Sequence, residues 1–369
     1  MEKLKGLSLF SSGGISEYYM NYTPVDITIA NELIENRCKF YRHLYPNVNM
    51  IHGDITNKKI YDKILKNSKD ENIDFIMATP PCQGMSKAGK MKVSDHRNIL
   101  FLYILKLIKE LNPKYCLIEN VPEFIKFNYI DPETKNEKNI MEKIKDALSD
   151  NYNINFKVLD AKYFEVPQSR KRAIVLISRK DQMEWKIPKN ILNDNNLLTV
   201  ESTIGDLPSL ESGEKYKLFT FNKNITKWHY AKKHNDNHIL WMKNTPTGKS
   251  AFDNTVHYPQ TKDKITGEMR KISGFKTTYK RMYWDKPSPT ITMSSGSISS
   301  QNNVHPGRFN EDTNTWSDAR VLSIYEIILL TSLPSNLSIP DFITEKELRD
   351  LFGECVPSKF MYNIIKTLE

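Results

Sequence analysis

The segment Phe75-Ile76-Met77-Ala78-Thr79-Pro80-Pro81-Cys82-Gln83-Gly84 joins a short apolar run to a turn that carries a cysteine. An apolar run that ends at Pro and Gly is typical of a buried strand followed by a tight turn. Such a turn would hold the thiol of Cys82 at the edge of an α/β sheet, which suits a nucleophile because a nucleophile needs a fixed, partly exposed position. The alternative for a lone cysteine is a small buried apolar residue.

Apolar runs typical of buried strands alternate with helical segments through the first half of the chain. The strand-like runs are Leu7–Phe10, Asp26–Ala30, Val48–Ile51, Phe75–Ala78, Tyr115–Ile118 and Ala173–Ile177. Helical spacing of apolar residues passes through Leu33, Ile34 and Cys38, and it is clear between Ile99 and Leu111. This order predicts an α/β fold with a doubly wound, mostly parallel sheet and helices on both faces. The polar stretch Asn128–Asn139 is predicted to be a surface loop.

The composition changes from about Lys186, where apolar runs become short and aromatic residues alternate with Lys, Asn and Ser. Residues Lys186–Asp285 contain 17 Lys and Arg against 10 Asp and Glu, which is most of the net charge of +9. A basic segment on a near-neutral body indicates a module that binds a polyanion, and a solvated lysine-rich surface is the alternative.

Helical periodicity returns at Ser323–Leu333 and at Val356–Leu368. We therefore predict two domains. Residues 1–189 form the catalytic and cofactor-binding domain, which the C-terminal helix 340–369 completes. Residues 190–339 form a smaller, irregular, β-rich recognition domain with its hinge.

Cysteine use and hydropathy favour a soluble cytoplasmic protein. The four cysteines lie far apart without a CxxC pair, which argues against a disulfide framework or a zinc site. No apolar run approaches the roughly 18 residues of a membrane helix. His229, His234 and His238 lack a cysteine or carboxylate that would complete a metal site, so no metal is predicted.

The turn Phe10-Ser11-Ser12-Gly13-Gly14 follows the first predicted strand. Glycine turns at this place in doubly wound folds let backbone N–H groups approach a cofactor. Glu32 lies 18 residues past Gly14, near the distance at which such folds bind ribose hydroxyls, and Asp54 follows the third strand. Together these residues predict an adenosine pocket.

Glu119-Asn120-Val121 follows the fifth predicted strand, so its carboxylate should emerge at the same sheet edge as Cys82. A neighbouring carboxylate raises the pKa of a thiol, which excludes a protease-like pair and favours an acid that binds or protonates the substrate. Gln168-Ser169-Arg170-Lys171-Arg172 puts two arginines on one side of an extended segment. They can bind anionic or carbonyl oxygens and help to hold Cys82 as thiolate, and a basic turn before a strand is the alternative.

The motifs described above, in their order along the chain, resemble those of the DNA (cytosine-5) methyltransferases. The resemblance rests on the cofactor turn Phe10–Gly14, on Pro80–Gln83, on Glu119–Val121, on the two arginines after Gln168, and on six further motifs at Asp95–Phe101, Thr199–Val200 with Gly205–Pro208, Pro289–Thr292, Arg320–Ser323, Leu333–Pro334 and Phe352–Pro357. Two positions depart from the family pattern: Ser12 replaces the usual first glycine, and Glu354 replaces an asparagine.

The resemblance implies a sequence-specific methylase of a bacterial restriction–modification system that acts on duplex DNA by flipping a cytosine out of the helix. The expected cofactor is S-adenosyl-L-methionine, which leaves as S-adenosyl-L-homocysteine. Cys82 would add to cytosine C6, Glu119 would bind N3 and Arg172 would hold O2. The expected protein is a monomer in the cytoplasm, bound to the nucleoid through DNA, with a cognate endonuclease encoded nearby.

The expected site residues fall into three groups. The catalytic group is Cys82, Glu119, Arg170 and Arg172. The cofactor group is Phe10, Ser11, Ser12, Gly13, Gly14, Glu32, Asp54, Ile55, Pro80, Leu100, Glu354 and Cys355. The DNA-binding group is Pro81, Gln83, Gly84, Ser86, Lys90, Arg97, Asn120, Val121, Gln168 and Thr290. The alternatives are an RNA (tRNA) cytosine-5 methyltransferase on the same scaffold and a catalytically inactive DNA-binding regulator.

Overall fold

The computed structural model describes residues 3–82, 84–85, 92–214 and 227–368. The chain divides into two compact units. Unit 1 consists of Met1–Ala161, Lys171–Asn190 and Ser358–Glu369, and unit 2 of Lys162–Arg170 and Ile191–Pro357. This division differs from the predicted one, because residues 162–170 and 340–357 belong to unit 2 and Asn190 belongs to unit 1.

Unit 1 is built around a seven-stranded sheet. Its strands are β1 (Leu4–Leu9), β2 (Val25–Glu32), β3 (Asn49–His52), β4 (Phe75–Ala78), β5 (Tyr115–Asn120), β8 (Tyr152–Asp160) and β9 (Lys171–Arg179), with the small hairpin β6 (Asn128–Ile130) and β7 (Glu137–Asn139). Its helices are α1 (Glu35–Leu44), α2 (Lys58–Asp70), α3 (Leu100–Leu111), α4 (Ile140–Leu148) and α9 (Ser358–Ile365). The strand order is β3-β2-β1-β4-β5-β9-β8.

The first five strands of this sheet pair in parallel, and β9 is antiparallel to both β5 and β8. The prediction of an α/β fold with a mostly parallel sheet is therefore confirmed. All six predicted strands are present. Strand β8 was missed because it lies at the edge of the sheet, where exposed Lys157 and half-buried asparagines interrupt its apolar pattern.

Helices cover both faces of the sheet, and they pack against side chains that alternate along the strands. Ile29 and Ile51 pack into the main core with α2 and α3, whereas the neighbouring Ala30 and Met50 pack against Cys38 of α1. Successive residues of a strand point to opposite faces, so these two clusters lie on opposite sides of the sheet. Strand β4 is buried throughout, as expected for a central strand covered on both faces.

The stretch Asn128–Asn139 is a hairpin and not the predicted surface loop. Tyr129 is fully buried in the core, and Asp131 is 1% exposed. The Asp131 carboxylate accepts the backbone N–H groups of Glu133 and Thr134 and pairs with Lys138 Nζ at 3.0 Å. The polar residues are therefore turn-forming groups, which their composition alone does not distinguish from a solvated loop.

Unit 2 contains short elements separated by long irregular segments. They are the helices α5 (Val200–Ile204), α6 (Asp236–Lys243), α7 (Ile324–Leu330) and α8 (Glu345–Glu354), and the strand pairs β10 (Gln260–Lys262) with β11 (Met269–Lys271) and β12 (Phe309–Asn310) with β13 (Thr315–Trp316). The predicted irregular character is present. The expected β-rich content is wrong for the part of unit 2 that the structure describes, because its strands are two or three residues long.

A buried ion network stabilises the fold of unit 2. Arg320, which is fully buried, donates to Asp318 Oδ1 at 2.7 Å and to both carboxylate oxygens of Glu326 at 2.8 Å. Burial alone would raise the pKa of Glu326, but the charge of Arg320 lowers it to about 2. The network is fully paired, as a buried charge requires.

Glu17 is a buried acid in unit 1, and it is 2% exposed. Ser8 Oγ donates to one oxygen of its carboxyl at 2.6 Å, and the Tyr41 hydroxyl donates to the other. Burial raises the pKa of Glu17 to about 7, although both hydrogen bonds act in the opposite direction. Below about pH 7 the folded protein therefore favours the protonated carboxyl of Glu17.

We predict that the stability of unit 1 falls as the pH rises from about 4.5 to about 7. An acid whose pKa is higher in the folded than in the unfolded state stabilises the fold fully below the unfolded pKa, and this contribution is lost as the pH rises through the folded pKa. The loss at Glu17 is on the order of 3 kcal/mol. Urea unfolding of the wild type and of Glu17→Gln across this range measures it. Equal pH slopes for the two proteins would contradict the prediction.

Candidate active site

The turn that carries Cys82 is held by contacts on both sides. Asn120 Nδ2, on the neighbouring strand β5, donates to the backbone carbonyl of Pro80 at 3.0 Å, and the N–H of Met85 donates to the carbonyl of Cys82 at 2.9 Å. Gly84 packs so tightly that a Cβ atom there would lie 2.2 Å from Asn98 Oδ1. These contacts fix the backbone of the turn that carries the thiol.

All four cysteines lie in the described part of the chain, and of these four only Cys82 is partly exposed. Cys38 and Cys116 are fully buried, and burial raises the pKa of both thiols. Cys82 is thus the cysteine that is available for chemistry on a bound molecule.

Glu119 and Arg172 form a close ion pair in unit 1. Strands β5 and β9 pair antiparallel through Glu119 and Ile174, which brings the start of β9 to the end of β5. Arg172 Nε lies 2.8 Å from Glu119 Oε1, and the two side chains are 12% and 7% exposed. The pair presents a carboxyl and a guanidinium side by side, an arrangement that can bind a polar ring edge with adjacent donors and acceptors.

Arg97 contributes a further charge near the thiol. Its Nε and Nη2 atoms donate to the two carboxylate oxygens of Asp95 at 2.9 and 2.7 Å. These hydrogen bonds raise the pKa of Arg97, and the negative charge of the Cys82 thiolate raises it further. Arg97 is therefore a cation that lies close enough to Cys82 to interact with it electrostatically, while its guanidinium is paired with Asp95. The sequence alone predicts Arg97 only as a DNA contact and gives no role to Asp95.

Arg170 does not fit the predicted catalytic role. It lies in unit 2, is 2% exposed, and donates from its guanidinium to the backbone carbonyls of Ile291, Gly353 and Glu354 at 2.8–3.0 Å. The two segments that it joins approach closely, since a Cβ on Gly353 would lie 2.2 Å from the backbone nitrogen of Met293. The expectation is corrected: Arg170 stabilises unit 2, because its Nη1 and Nη2 atoms donate to backbone carbonyl oxygens of that unit.

Three predicted DNA contacts are also buried. Gln168 is 2% exposed; its amide donates to the carbonyl of Leu330 at 3.4 Å and accepts the N–H of Ile291 at 3.3 Å. Asn120 is 2% exposed and holds Pro80, and Val121 packs in the core of unit 1. Gln168 and Asn120 bind backbone groups and Val121 packs in the core, so the expectation that these side chains touch DNA is corrected.

The remaining predicted DNA contacts differ in burial, and some of them lie outside the described residues. Thr290 is half-buried and donates from its hydroxyl to the carbonyl of Ser169 at 2.8 Å. Pro81 is partly exposed, and Gly84 is buried. Gln83, Ser86 and Lys90 lie outside the described residues.

The turn after β1 has the unusual backbone expected of a binding site. Phe10 and Ser12 adopt left-handed conformations with φ of 58° and 49°, which non-glycine residues rarely do. Thr79 Oγ1 donates to the carbonyl of Phe10 at 3.1 Å, and the N–H of Ser11 donates to the carbonyl of Asn31 at 3.1 Å. Strained backbone held by its neighbours is common at functional sites.

Glu32 ends β2 next to this turn. Its carboxylate accepts the N–H groups of Ser12 and Ile34, each at 2.9 Å. Leu33 and Ile34 are large apolar residues that remain 59% and 44% exposed, and the sequence analysis had counted both as helix residues. The strand end thus combines an anchored carboxylate with an uncovered apolar surface, which suits a nucleoside.

The other predicted cofactor residues are spread over both units. Asp54 is exposed and caps its own turn through Thr56, while Ile55 is 2% exposed in the core. Gly13, Gly14 and Pro80 are buried in unit 1, and Leu100 begins α3 half-buried. Glu354 and Cys355 belong to unit 2, where Glu354 is half-buried and Cys355 is 7% exposed.

Within the ranges that the structure describes, no group of His, Cys, Asp and Glu side chains is arranged to hold a metal ion. His229 instead contacts Ser323 Oγ and the carbonyl of Pro208, each at 3.1 Å. Among the helices of those ranges, none is long and apolar enough to span a membrane.

The chain is similar to known type II methyltransferases. Type II methyltransferase M1.HgaI of Avibacterium volantium is 45% identical over 373 residues, which cover 100% of this chain and 98% of that protein. Type II methyltransferase M1.HphI of Haemophilus parahaemolyticus is 29% identical, with 78% and 70% covered.

Two solved structures have the same fold. One is described as a DNA modification methyltransferase encoded within a prophage of E. coli (TM-score 0.67, 19% identity, 99% and 98% covered), and the other is the S. pombe Dnmt2 methyltransferase (TM-score 0.60, 18% identity, 99% and 98% covered). At these identities the likeness concerns the fold alone.

The family model of the C-5 cytosine-specific DNA methylases matches residues 4–369. The partly exposed cysteine in the turn after β4 and the acid–arginine pair of β5 and β9 agree with this match, and the chain is a member of that family.

Proposed function

We propose that this chain transfers a methyl group from S-adenosyl-L-methionine to C5 of a cytosine in duplex DNA, as the modification enzyme of a type II restriction–modification system. The observation that carries the proposal is the one partly exposed cysteine, Cys82, at the same strand-end edge as the Glu119–Arg172 pair. The likeness to M1.HgaI over the whole chain supports the type II assignment.

The residues at the ends of β1, β2 and β3 fit this cofactor. Glu32 would bind the ribose hydroxyls, exposed Leu33 would cover the adenine, and Asp54 would accept from its amino group. Backbone N–H groups of the turn Phe10–Gly14 would bind the methionyl carboxylate. The hydroxyl Oγ of Ser12 is buried and has no hydrogen-bond partner among the described residues, so it is available to bind the cofactor. When bound, the cofactor supplies an electrophilic methyl group.

The chain's own residues would make the cytosine ring reactive. Cys82, as thiolate, would form a bond to C6, and the electron pair of the C5–C6 double bond would move to C5, which then accepts the methyl group. Glu119, protonated, would donate to N3, and Arg172 would hold O2. Loss of the C5 proton to a base would restore the double bond and release the thiolate.

A cytosine inside a duplex cannot reach Cys82, so the nucleotide must leave the base stack, which costs a few kcal/mol. Phosphate contacts from the basic residues between Lys186 and Asp285 would offset that cost and make binding depend on salt. We propose that the protein acts as a monomer, alongside an endonuclease of the same specificity.

Substitution of Cys82 by alanine is expected to abolish methyl transfer. Tritium from labelled S-adenosyl-L-methionine would not enter duplex DNA, and DNA that carries 5-fluorocytosine would form no covalent complex, because both depend on the thiolate. The control Cys38→Ala changes a buried cysteine of α1 and keeps both activities. Methyl transfer by Cys82→Ala would contradict the mechanism.

Substitution of Glu119 by glutamine is expected to lower kcat by roughly 10²–10⁴, since an amide cannot supply the acid proton. Arg172→Lys keeps the positive charge but removes the 2.8 Å contact with Glu119, so its kcat should fall less than that of Glu119→Gln. Lys171→Gln, at the exposed neighbouring position, is the matched control. A kcat for Glu119→Gln equal to that of this control would remove the acid from the mechanism.

Substitution of Arg97 by glutamine is expected to slow iodoacetamide alkylation of Cys82 at pH 7 roughly three- to tenfold, because the thiolate is the reactive form. Mass spectrometry of the Cys82 peptide measures this in the absence of DNA. His96→Gln removes an exposed neighbour and serves as the control. An unchanged alkylation rate in Arg97→Gln would mean that Arg97 does not act on the thiol.

A further inference from the structure

A basic hairpin of unit 2, residues 260–271, is formed by β10 and β11. Its base is fixed to the unit: the N–H of Ile272 donates to the carbonyl of Pro259 at 3.0 Å, and Ile272 packs against the cluster around Trp241. Lys271 Nζ also lies 5.1 Å from the ring centre of Tyr258. Beyond this base, β11 is exposed along its length and β10 is exposed from Thr261.

The tip of the basic hairpin has a defined conformation. The carboxylate of Asp263 accepts the N–H groups of Ile265 and Thr266 at 2.8 and 3.1 Å, and its own N–H donates to the carbonyl of Glu268 at 2.8 Å. These backbone hydrogen bonds lower the pKa of Asp263. A side chain at this tip is therefore presented on a preorganised turn, which reduces the entropy lost when it binds.

Ile265 occupies the tip and is 95% exposed, an unusual position for a β-branched apolar residue because turns favour Gly, Asn, Asp and Ser. Met269, on β11, is 55% exposed. The hairpin carries four exposed basic residues, Lys262, Lys264, Arg270 and Lys271, against two acidic residues, Asp263 and Glu268, so it has a net positive charge. Arg270 Nη1 lies 3.5 Å from Asp263 Oδ2 and remains largely exposed.

The composition of this surface decides between two kinds of partner. A stable protein interface covers roughly 800 Å² on each partner around an apolar centre that is poor in charge. The basic hairpin offers isolated apolar side chains among cations, which complement the phosphates of a duplex. A two-stranded β-ribbon also fits the major groove, where apolar side chains contact base edges such as the thymine methyl.

We propose that the basic hairpin enters the major groove of the DNA substrate, with Ile265 contacting base edges and Arg270 and its basic neighbours contacting phosphates. The proposal rests on the proposed function and assigns part of its sequence recognition to this element. Base contacts specify sequence, whereas phosphate contacts only position the protein. The two kinds of residue should therefore respond to different measurements.

The phosphate contacts are tested by binding of the full chain to a random-sequence duplex at several salt concentrations. Arg270→Gln should weaken binding and reduce the slope of log Kd against log salt by about one. Lys66→Gln, an exposed substitution on α2 of unit 1, is the matched control and should leave the slope unchanged. A wild-type slope in Arg270→Gln would overturn the proposal.

The base contact is tested by bisulfite sequencing of plasmid DNA from cells that express each variant. Ile265→Ala should change the set of methylated sites or lower methylation at them several-fold, and Ile265→Val should restore the wild-type pattern. Phe342→Ala, which removes another half-exposed apolar side chain of unit 2, is the control. Thermal unfolding of all variants verifies that they fold.

Failure of the proposed function and failure of the role of the basic hairpin give different results. Absence of methylation by the wild type itself would refute the proposed function. Methylation by the wild type together with an identical pattern and extent in Ile265→Ala would overturn the role of the basic hairpin alone.

Discussion

Parallel pairing of β1 with β4 and of β4 with β5 is the constraint on which the proposed active site depends. The register sets Leu9 opposite Ala78 and Ala78 opposite Ile118, so three strand ends meet at one edge of the sheet. Two side-chain bonds then join the segments that leave this edge, from Thr79 to the carbonyl of Phe10 and from Asn120 to that of Pro80. The strained turn, the thiol and the acid are therefore fixed relative to one another by the sheet.

The sequence determines the strands of this edge because buried central strands are continuous apolar runs bounded by turn residues. Phe75–Ala78 begins and ends where its apolar run does. Helices α2 and α4 were not predicted, although each has buried residues at helical spacing among its lysines. The chain-wide motifs identified the family, which a single motif could not do.

Residue roles were harder to predict than residue positions. Arg170 and Arg172 are two residues apart and chemically identical, yet one is buried against carbonyls of unit 2 and the other pairs with Glu119. Sequence spacing places both on one side of an extended segment but does not specify their partners. The same holds for Gln168 and Asn120, whose amides satisfy buried backbone groups, because tertiary contacts alone decide whether a polar side chain meets protein or ligand.

The outer strand β8 has a consequence for behaviour at high concentration. A free sheet edge is a template for strand addition by another molecule. Asn155 Nδ2 on this strand donates to Glu184 Oε1 and to the carbonyl of Trp185, at 2.9 and 3.1 Å, so the segment after β9 shields part of the edge. Exposed Lys157 adds a charge that opposes intermolecular pairing. Truncation or mutation near Glu184 would therefore expose a nucleus for aggregation, and shortened versions of the protein should retain this segment.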